Sequence, residues 1–192
     1  MDLILALNEL LATREKCGAT KIIAIDGRAG SGKTTLAADL TLALSLENSV
    51  TLVHMDEIYE GWAAALGPSL TATLERLLEA LSRKEPYALP IYDWGKGVFL
   101  TSRTIAPTQM LILDGVGSAQ AKVREYAAAT IWLDIEAEIG LERVLQRDGQ
   151  GIVNEMRQWQ RDEENHFALD KTREYSDFIL STSEADSAPY AY

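Results

Sequence analysis

Sulfur and imidazole are scarce in this chain: 192 residues contain one cysteine, Cys17, and two histidines. A single cysteine excludes an internal disulfide and fits a reducing compartment, so a cytoplasmic protein is expected. Cys17 itself reads as a passive residue near a helix end. His166 stands among Asp162, Glu163 and Glu164 with no cysteine near it, which argues against a structural zinc centre. No apolar run reaches the length needed to cross a bilayer. The N-terminal stretch lacks the basic start and cleavage site of a secretory signal and carries Asp2 and Glu9 instead, as an amphipathic helix would. Positive charge is also short: 18 Lys and Arg face 29 Asp and Glu, a formal net charge of −11. A surface this acidic repels nucleic-acid backbones and anionic membranes, so neither is an expected partner. A local nest of backbone N–H groups with a few cations can still hold an anion against that field.

What is present is an alternation of short apolar runs with helical patterns. The runs 21–25, 50–55, 110–113, 130–133 and 177–180 are nearly continuous in Ile, Val and Leu, as strands covered by helices on both faces are. Between them, Leu36, Leu40 and Leu44 form a stripe in a helix over 34–46,. Leu74, Leu77, Leu78 and Leu81 mark a helix over 71–82, and Ile139, Leu141, Val144 and Leu145 one over 136–147. Val153, Met156, Trp159 and Phe167 mark a long helix over 152–169. The alternation predicts an α/β fold: a doubly wound, five-stranded parallel sheet flanked by helices. The length suits a single domain over 1–192,. Within it we expect an N-terminal helix in 1–20, an insertion at 85–107 and a flexible tail at 181–192. The insertion holds Pro86, Pro90, Gly95, Gly97 and Pro107 between Tyr87, Tyr92, Trp94 and Phe99, and reads as a loop or a short β-ribbon at the sheet edge. The apolar N-terminal helix could pack on a partner copy instead of its own core, which leaves a homodimer open.

Gly27-Arg28-Ala29-Gly30-Ser31-Gly32-Lys33-Thr34 fits the phosphate-loop (P-loop) pattern G-x-x-x-x-G-K-[ST] in full,. Its glycines let successive N–H groups turn inward on phosphates, and the helix that starts near Lys33 adds its positive end. In that geometry the Lys33 ammonium reaches the β- and γ-phosphates and the Thr34 hydroxyl reaches Mg²⁺, with Thr35 next on the same turn. ATP or GTP with Mg²⁺ is the expected ligand pair, and the motif is nearly silent on what is done with them.

Acidic residues narrow the chemistry. Asp114 closes the apolar run Met110-Leu111-Ile112-Leu113, a place suited to a second anchor for Mg²⁺, or to capping a turn. Gly115 follows where hydrolytic motors tend to carry Glu. Asp56 ends the second apolar run, outside the carboxyl end of a strand, where ligands of open α/β sheets bind. A carboxylate there can take the proton of an attacking hydroxyl or hold it in line; it can also cap the next helix. His54 shares a strand face with Asp56 and reads as a packed strand-end residue. Arg143 and Arg147, four apart on one helix face, can clamp phosphates or form surface pairs with Glu.

The order of these elements resembles the uridine kinase and phosphoribulokinase family of P-loop kinases. The resemblance runs through the Gly-rich loop, Asp56-x-x-Tyr59, Tyr92-Asp93-Trp94, Asp114-Gly115-Val116 and Arg143-x-x-x-Arg147-Asp148, and spans about 21–180. It implies ATP·Mg²⁺ as donor and a nucleoside or other small hydroxyl compound as acceptor. It also implies that Asp56 activates the acceptor, that Asp56, Tyr59, Tyr92, Asp93 and Trp94 bind it, and that Asp114 lies near Mg²⁺. Arg143 and Arg147 would be lid-side arginines, catalytic together with Lys33 and Asp56. Two departures fall on the acceptor and lid side: Gly95-Lys96-Gly97-Val98 replaces the family's His and Arg, and Gly149-Gln150-Gly151 stands near its Arg-Gly-Arg lid. The expected function is therefore a small-molecule phosphotransferase. The alternative is a nucleotide-binding regulatory ATPase or switch acting through a protein partner.

Overall fold

Ile22, Ile23, Ala24 and Ile25 have no exposed surface, as a strand with helices over both faces requires. They belong to β1 (Lys21–Gly27) in a computed structural model that describes residues 3–181. The other strands are β2 (Val50–His54), β3 (Tyr87–Asp93), β4 (Val98–Ile105), β5 (Met110–Asp114), β6 (Ala129–Asp134) and β7 (Phe178–Ser181). The helices are α1 (Leu3–Thr13), α2 (Lys33–Leu44), α3 (Gly61–Ala64), α4 (Pro68–Ser82), α5 (Ala121–Arg124), α6 (Ala137–Asp148) and α7 (Val153–Asp170). The five expected apolar runs form one five-stranded sheet in the order β2-β5-β1-β6-β7, and every pairing in it is parallel.

Side chains alternate across β1 with period two. Ile22 and Ala24 face a core with Leu74, Leu77, Leu111 and Leu113, whereas Ile23 and Ile25 face the opposite one with Leu36, Leu40 and Ile112. Leu7 and Leu11 of α1 are buried in that second core, so the helix spends its apolar face on its own sheet. α4 begins a turn earlier than its leucine stripe indicates, because Pro68 occupies its first turn, where a missing N–H costs nothing. Among the described residues no helix is long and apolar enough to cross a membrane. The expected flexible tail, beyond Ser181, lies outside the described residues.

The stretch expected as an insertion at 85–107 is an antiparallel ribbon. β3 and β4 pair only with each other, as a separate two-stranded sheet. Pro90 fits inside β3 because a strand paired on one side need not donate from every residue. Leu89 and Ile105 anchor the ribbon in the core, and Val98 and Leu100 stay exposed.

β1 has β5 on one side and β6 on the other. Its carboxyl end therefore lies at a reversal of strand order, where ligands of such sheets bind.

Candidate active site

The P-loop leaves β1 at Gly27 under tight steric limits. A Cβ on Gly27 (φ +140°) would come within 2.4 Å of the Leu133 carbonyl, and one on Gly30 (φ +77°) within 2.1 Å of the Gly140 carbonyl. The loop is thus pinched between β6 and α6, and only glycine allows that approach. Gly30→Ala should destabilise the fold by about 1–3 kcal/mol through clash and positive φ. Gly151, with open space at its Cβ, serves as the control, and its alanine variant should melt at or above the parent temperature. Equal melting of the two variants would show that the loop relaxes freely.

α2 starts at Lys33 with Gly32 in the left-handed region as its N-cap and no side-chain cap. Its first-turn N–H groups therefore have no intrahelical acceptors and carry the helix's positive end. That turn borders a cavity of about 400 Å³ lined by Gly30, Gly32, Lys33, Thr34 and Thr35, together with Ala29. Lys33 Nζ donates to the carbonyls of Gly27 (2.8 Å) and Arg28 (2.7 Å), leaving one of its three protons for a phosphate oxygen. Burial lowers the Lys33 pKa, and the charges of Asp26, Glu163, Asp114 and Asp56 oppose that shift.

Other expected loop residues stand back from the cavity. Gly27 and Ser31 are buried beneath the loop. The Arg28 guanidinium turns away to pair with Glu163 and Glu164 of α7, so the loop's phosphate contacts fall to backbone N–H groups and Lys33.

Asp114 reaches the same cavity from the end of β5. Strand register sets His54 opposite it, and His54 Nδ1 lies 2.9 Å from Asp114 Oδ2. The histidine read as simple packing thus orients this carboxylate. Asp114 Oδ1 is buried without a partner, an arrangement that suits a cation or its water. Among the described residues no cluster of three or more His, Cys, Asp or Glu forms a metal cage. Thr34 and Asp114 fit Mg²⁺, which takes one or two protein oxygens and completes its shell with waters and phosphate.

Asp56 sits in a short 3-10 turn, Met55–Glu57, and lines the cavity. It caps neither that turn nor α3, so the capping alternative is not realised. Loss of solvating water beside the cavity walls raises its pKa above the ordinary carboxylate value; Lys33 opposes this and Asp114 adds to it. Its neighbour Glu57 pairs with Arg103 at 2.9 Å.

Of the acceptor residues expected from the resemblance, the structure brings three to the cavity: Asp56, Tyr59 and Trp94. Tyr59 is 2% exposed and donates its hydroxyl to the Val116 carbonyl at 2.8 Å, so it offers a ring wall and no free hydroxyl. Tyr92 stands outside the lining, its ring 5.4 Å from that of Trp94 and 5.1 Å from that of Phe99. Asp93 closes the ribbon turn, accepting the Lys96 N–H at 2.9 Å. The antiparallel pairing of β3 and β4 spends Asp93 on the turn and leaves only Trp94 pointing inward. Arg143 and Arg147 both line the cavity, and Arg147 binds Asp148 through two contacts of 2.8 and 2.7 Å.

Four site residues escaped the sequence reading. Asp26 is fully buried and accepts N–H groups from Gly27, Gly117 and Ala119, tying the P-loop to the turn after β5. An acidic residue inside the run Ile25-Asp26-Gly27 was the available signal. Glu163, 1% exposed, accepts from Ala29 N at 3.0 Å and Trp159 Nε1 at 3.1 Å with the same oxygen. Trp159 and Trp62 complete the aromatic wall, and nothing local distinguishes them from core residues.

The sheet, the phosphate loop and the facing carboxylates define a P-loop protein of the kinase type. Residues 69–181, more than half of the chain, match the Phosphoribulokinase / Uridine kinase family, and the chain belongs to that family. No curated protein matches its sequence. Among solved structures, a possible uridine kinase from Bacillus stearothermophilus is 22% identical with a TM-score of 0.63, over 94% of this chain and 100% of that one. A protein assigned as a fructose transport system kinase from Silicibacter sp. TM1040 is 20% identical with a TM-score of 0.68, over 93% of this chain and 97% of that one. Both likenesses establish the shared fold.

Proposed function

We propose that this chain transfers the γ-phosphate of ATP to a hydroxyl of a small metabolite, nucleoside-like or otherwise. The observation that carries the reading is that one cavity joins the P-loop, the Thr34–Asp114 pair and Asp56. The first turn of α2 and Lys33 would hold the triphosphate. Arg143 and Arg147 would lie along it and offset charge that spreads over the transferred group. Mg²⁺, held by Thr34 and Asp114, would neutralise the β- and γ-oxygens. Asp56 would align the acceptor hydroxyl and take its proton as the new P–O bond forms. Alignment and charge neutralisation supply most of such a rate, which is why a modest carboxylate suffices.

The test is ADP release with Mg²⁺ across a panel of hydroxyl metabolites. Hydrolysis alone should be slow, and one acceptor class should raise turnover by about 10²-fold or more. Steady hydrolysis indifferent to every metabolite, and raised only by a protein, would replace this reading with a nucleotide switch.

A further inference from the structure

The acceptor end of the cavity is built from ring faces. Trp62 stands edge-on to Trp94, with centroids 5.5 Å apart at 64°, and to Trp159, at 6.0 Å and 86°. Of the wall's polar side-chain atoms, those of Trp94, Trp159 and Tyr59 are already engaged within the protein. Trp94 Nε1 donates to the Asp56 carbonyl at 2.9 Å, and Trp159 Nε1 to Glu163 at 3.1 Å. The Tyr59 hydroxyl occupies the Val116 carbonyl, and the Gly115 N–H bonds Ile25. A ligand seated here meets π surface and few hydrogen-bonding groups.

Lys33 and Arg147 act on Asp56 across the cavity. The wall segments around Asp56, Trp62, Trp94, Val116 and Trp159 contribute one ionised side chain to the cavity lining, Asp56. The cations of the lining are Lys33 on the loop and Arg143 and Arg147 on α6, with Arg147 held by Asp148. An alcohol bearing a carboxylate or phosphate would meet Asp56 and three indoles at this end. The edge of a nucleobase would lose its water without gaining partners. A positive organic group is favoured by both features: indoles attract cations, and Asp56 adds its charge.

We propose that the acceptor is an alcohol carrying an organic cation, an alkylated ammonium or a cationic heteroaromatic ring, seated against Trp62, Trp94 and Trp159. The assignment rests on the phosphotransfer reading of this cavity. The acceptor oxygen bonds to the γ-phosphorus, the bond from that phosphorus to the β,γ-bridging oxygen breaks, ADP leaves, and the hydroxyl proton passes to Asp56. The cationic group is unchanged.

The test uses the full chain saturated with Mg²⁺ and a non-hydrolysable ATP analogue. It is titrated calorimetrically with choline and N-(2-hydroxyethyl)pyridinium, with their neutral counterparts 3,3-dimethylbutan-1-ol and 2-phenylethanol, and with uridine and gluconate. Each cation should bind at least about tenfold more tightly than its neutral counterpart, as attraction to several indoles together with the Asp56 carboxylate allows. Trp62→Leu and Trp94→Leu should erase that preference and Trp62→Phe should keep part of it, with binding of the ATP analogue reporting that each variant is folded. Equal or tighter binding of the neutral partners, tightest binding of uridine or gluconate, or no binding of either cation would overturn the assignment. Phosphorylation of uridine or gluconate would overturn it while leaving the kinase reading intact. Failure to bind the ATP analogue would remove the kinase reading itself.

Discussion

Asp56→Asn is expected to slow phosphoryl transfer by about 10²–10⁴-fold, the usual contribution of a positioned general base, with ATP affinity within a few-fold of the parent. The amide keeps the shape of the carboxylate and cannot accept the proton, and Asp56 belongs to the turn after β2, away from the loop that would hold the triphosphate. The pH profile provides a second readout. Partial desolvation raises the Asp56 pKa, Lys33 opposes the rise and Asp114 adds to it. A group that must be ionised to work supports full activity above its pKa and loses it as pH falls through that value. The acid limb of kcat/KM for the acceptor should therefore lie above the ordinary carboxylate range, and Asp56→Asn should abolish it. Unchanged kcat, or an acid limb that survives the substitution, would remove Asp56 from the role.

Lys33→Ala should lower kcat by about 10²–10³-fold, on the scale of losing a preorganised donor to transition-state charge, and should also weaken ATP binding. The lysine is buried to 8% exposure, and its ammonium closes the loop through the Gly27 and Arg28 carbonyls. Removing it also takes away one of the positive groups that offset Asp26 and Glu163, so some loss of stability is expected. Circular dichroism and acceptor binding separate a folded, inactive variant from an unfolded one. Lys33→Arg should not restore the rate, because a planar fork cannot replace a compact ammonium in this space. Unchanged turnover with unchanged ATP affinity would break the P-loop assignment.

The central sheet was legible because its signal is local. Each of the five strands is a nearly continuous apolar run, and burial on both faces demands that pattern of the central ones. The phosphate loop was legible for the same reason, since its eight residues are consecutive. The acceptor side was not. His54 meets Asp114 across 60 residues of sequence, and Glu163 braces Ala29 across 134; such pairs follow from register and helix docking, which no short window contains. Trp159 has the spacing of a core residue on an amphipathic helix, and it is one, with its face also forming cavity wall. Tyr92 and Asp93 matched a family element in sequence, yet ribbon geometry sends them elsewhere and leaves Trp94 alone at the cavity.

The ribbon makes no ladder bonds with the five parallel strands, yet it delivers Trp94 to the pocket. Its turn can lengthen, shorten or change residue type while the hydrogen-bonded frame around the P-loop is left as it is. Under the phosphotransfer reading, substrate choice could therefore drift on the turn of a core-anchored ribbon, and grafting that turn between relatives is a rational route to retargeting it.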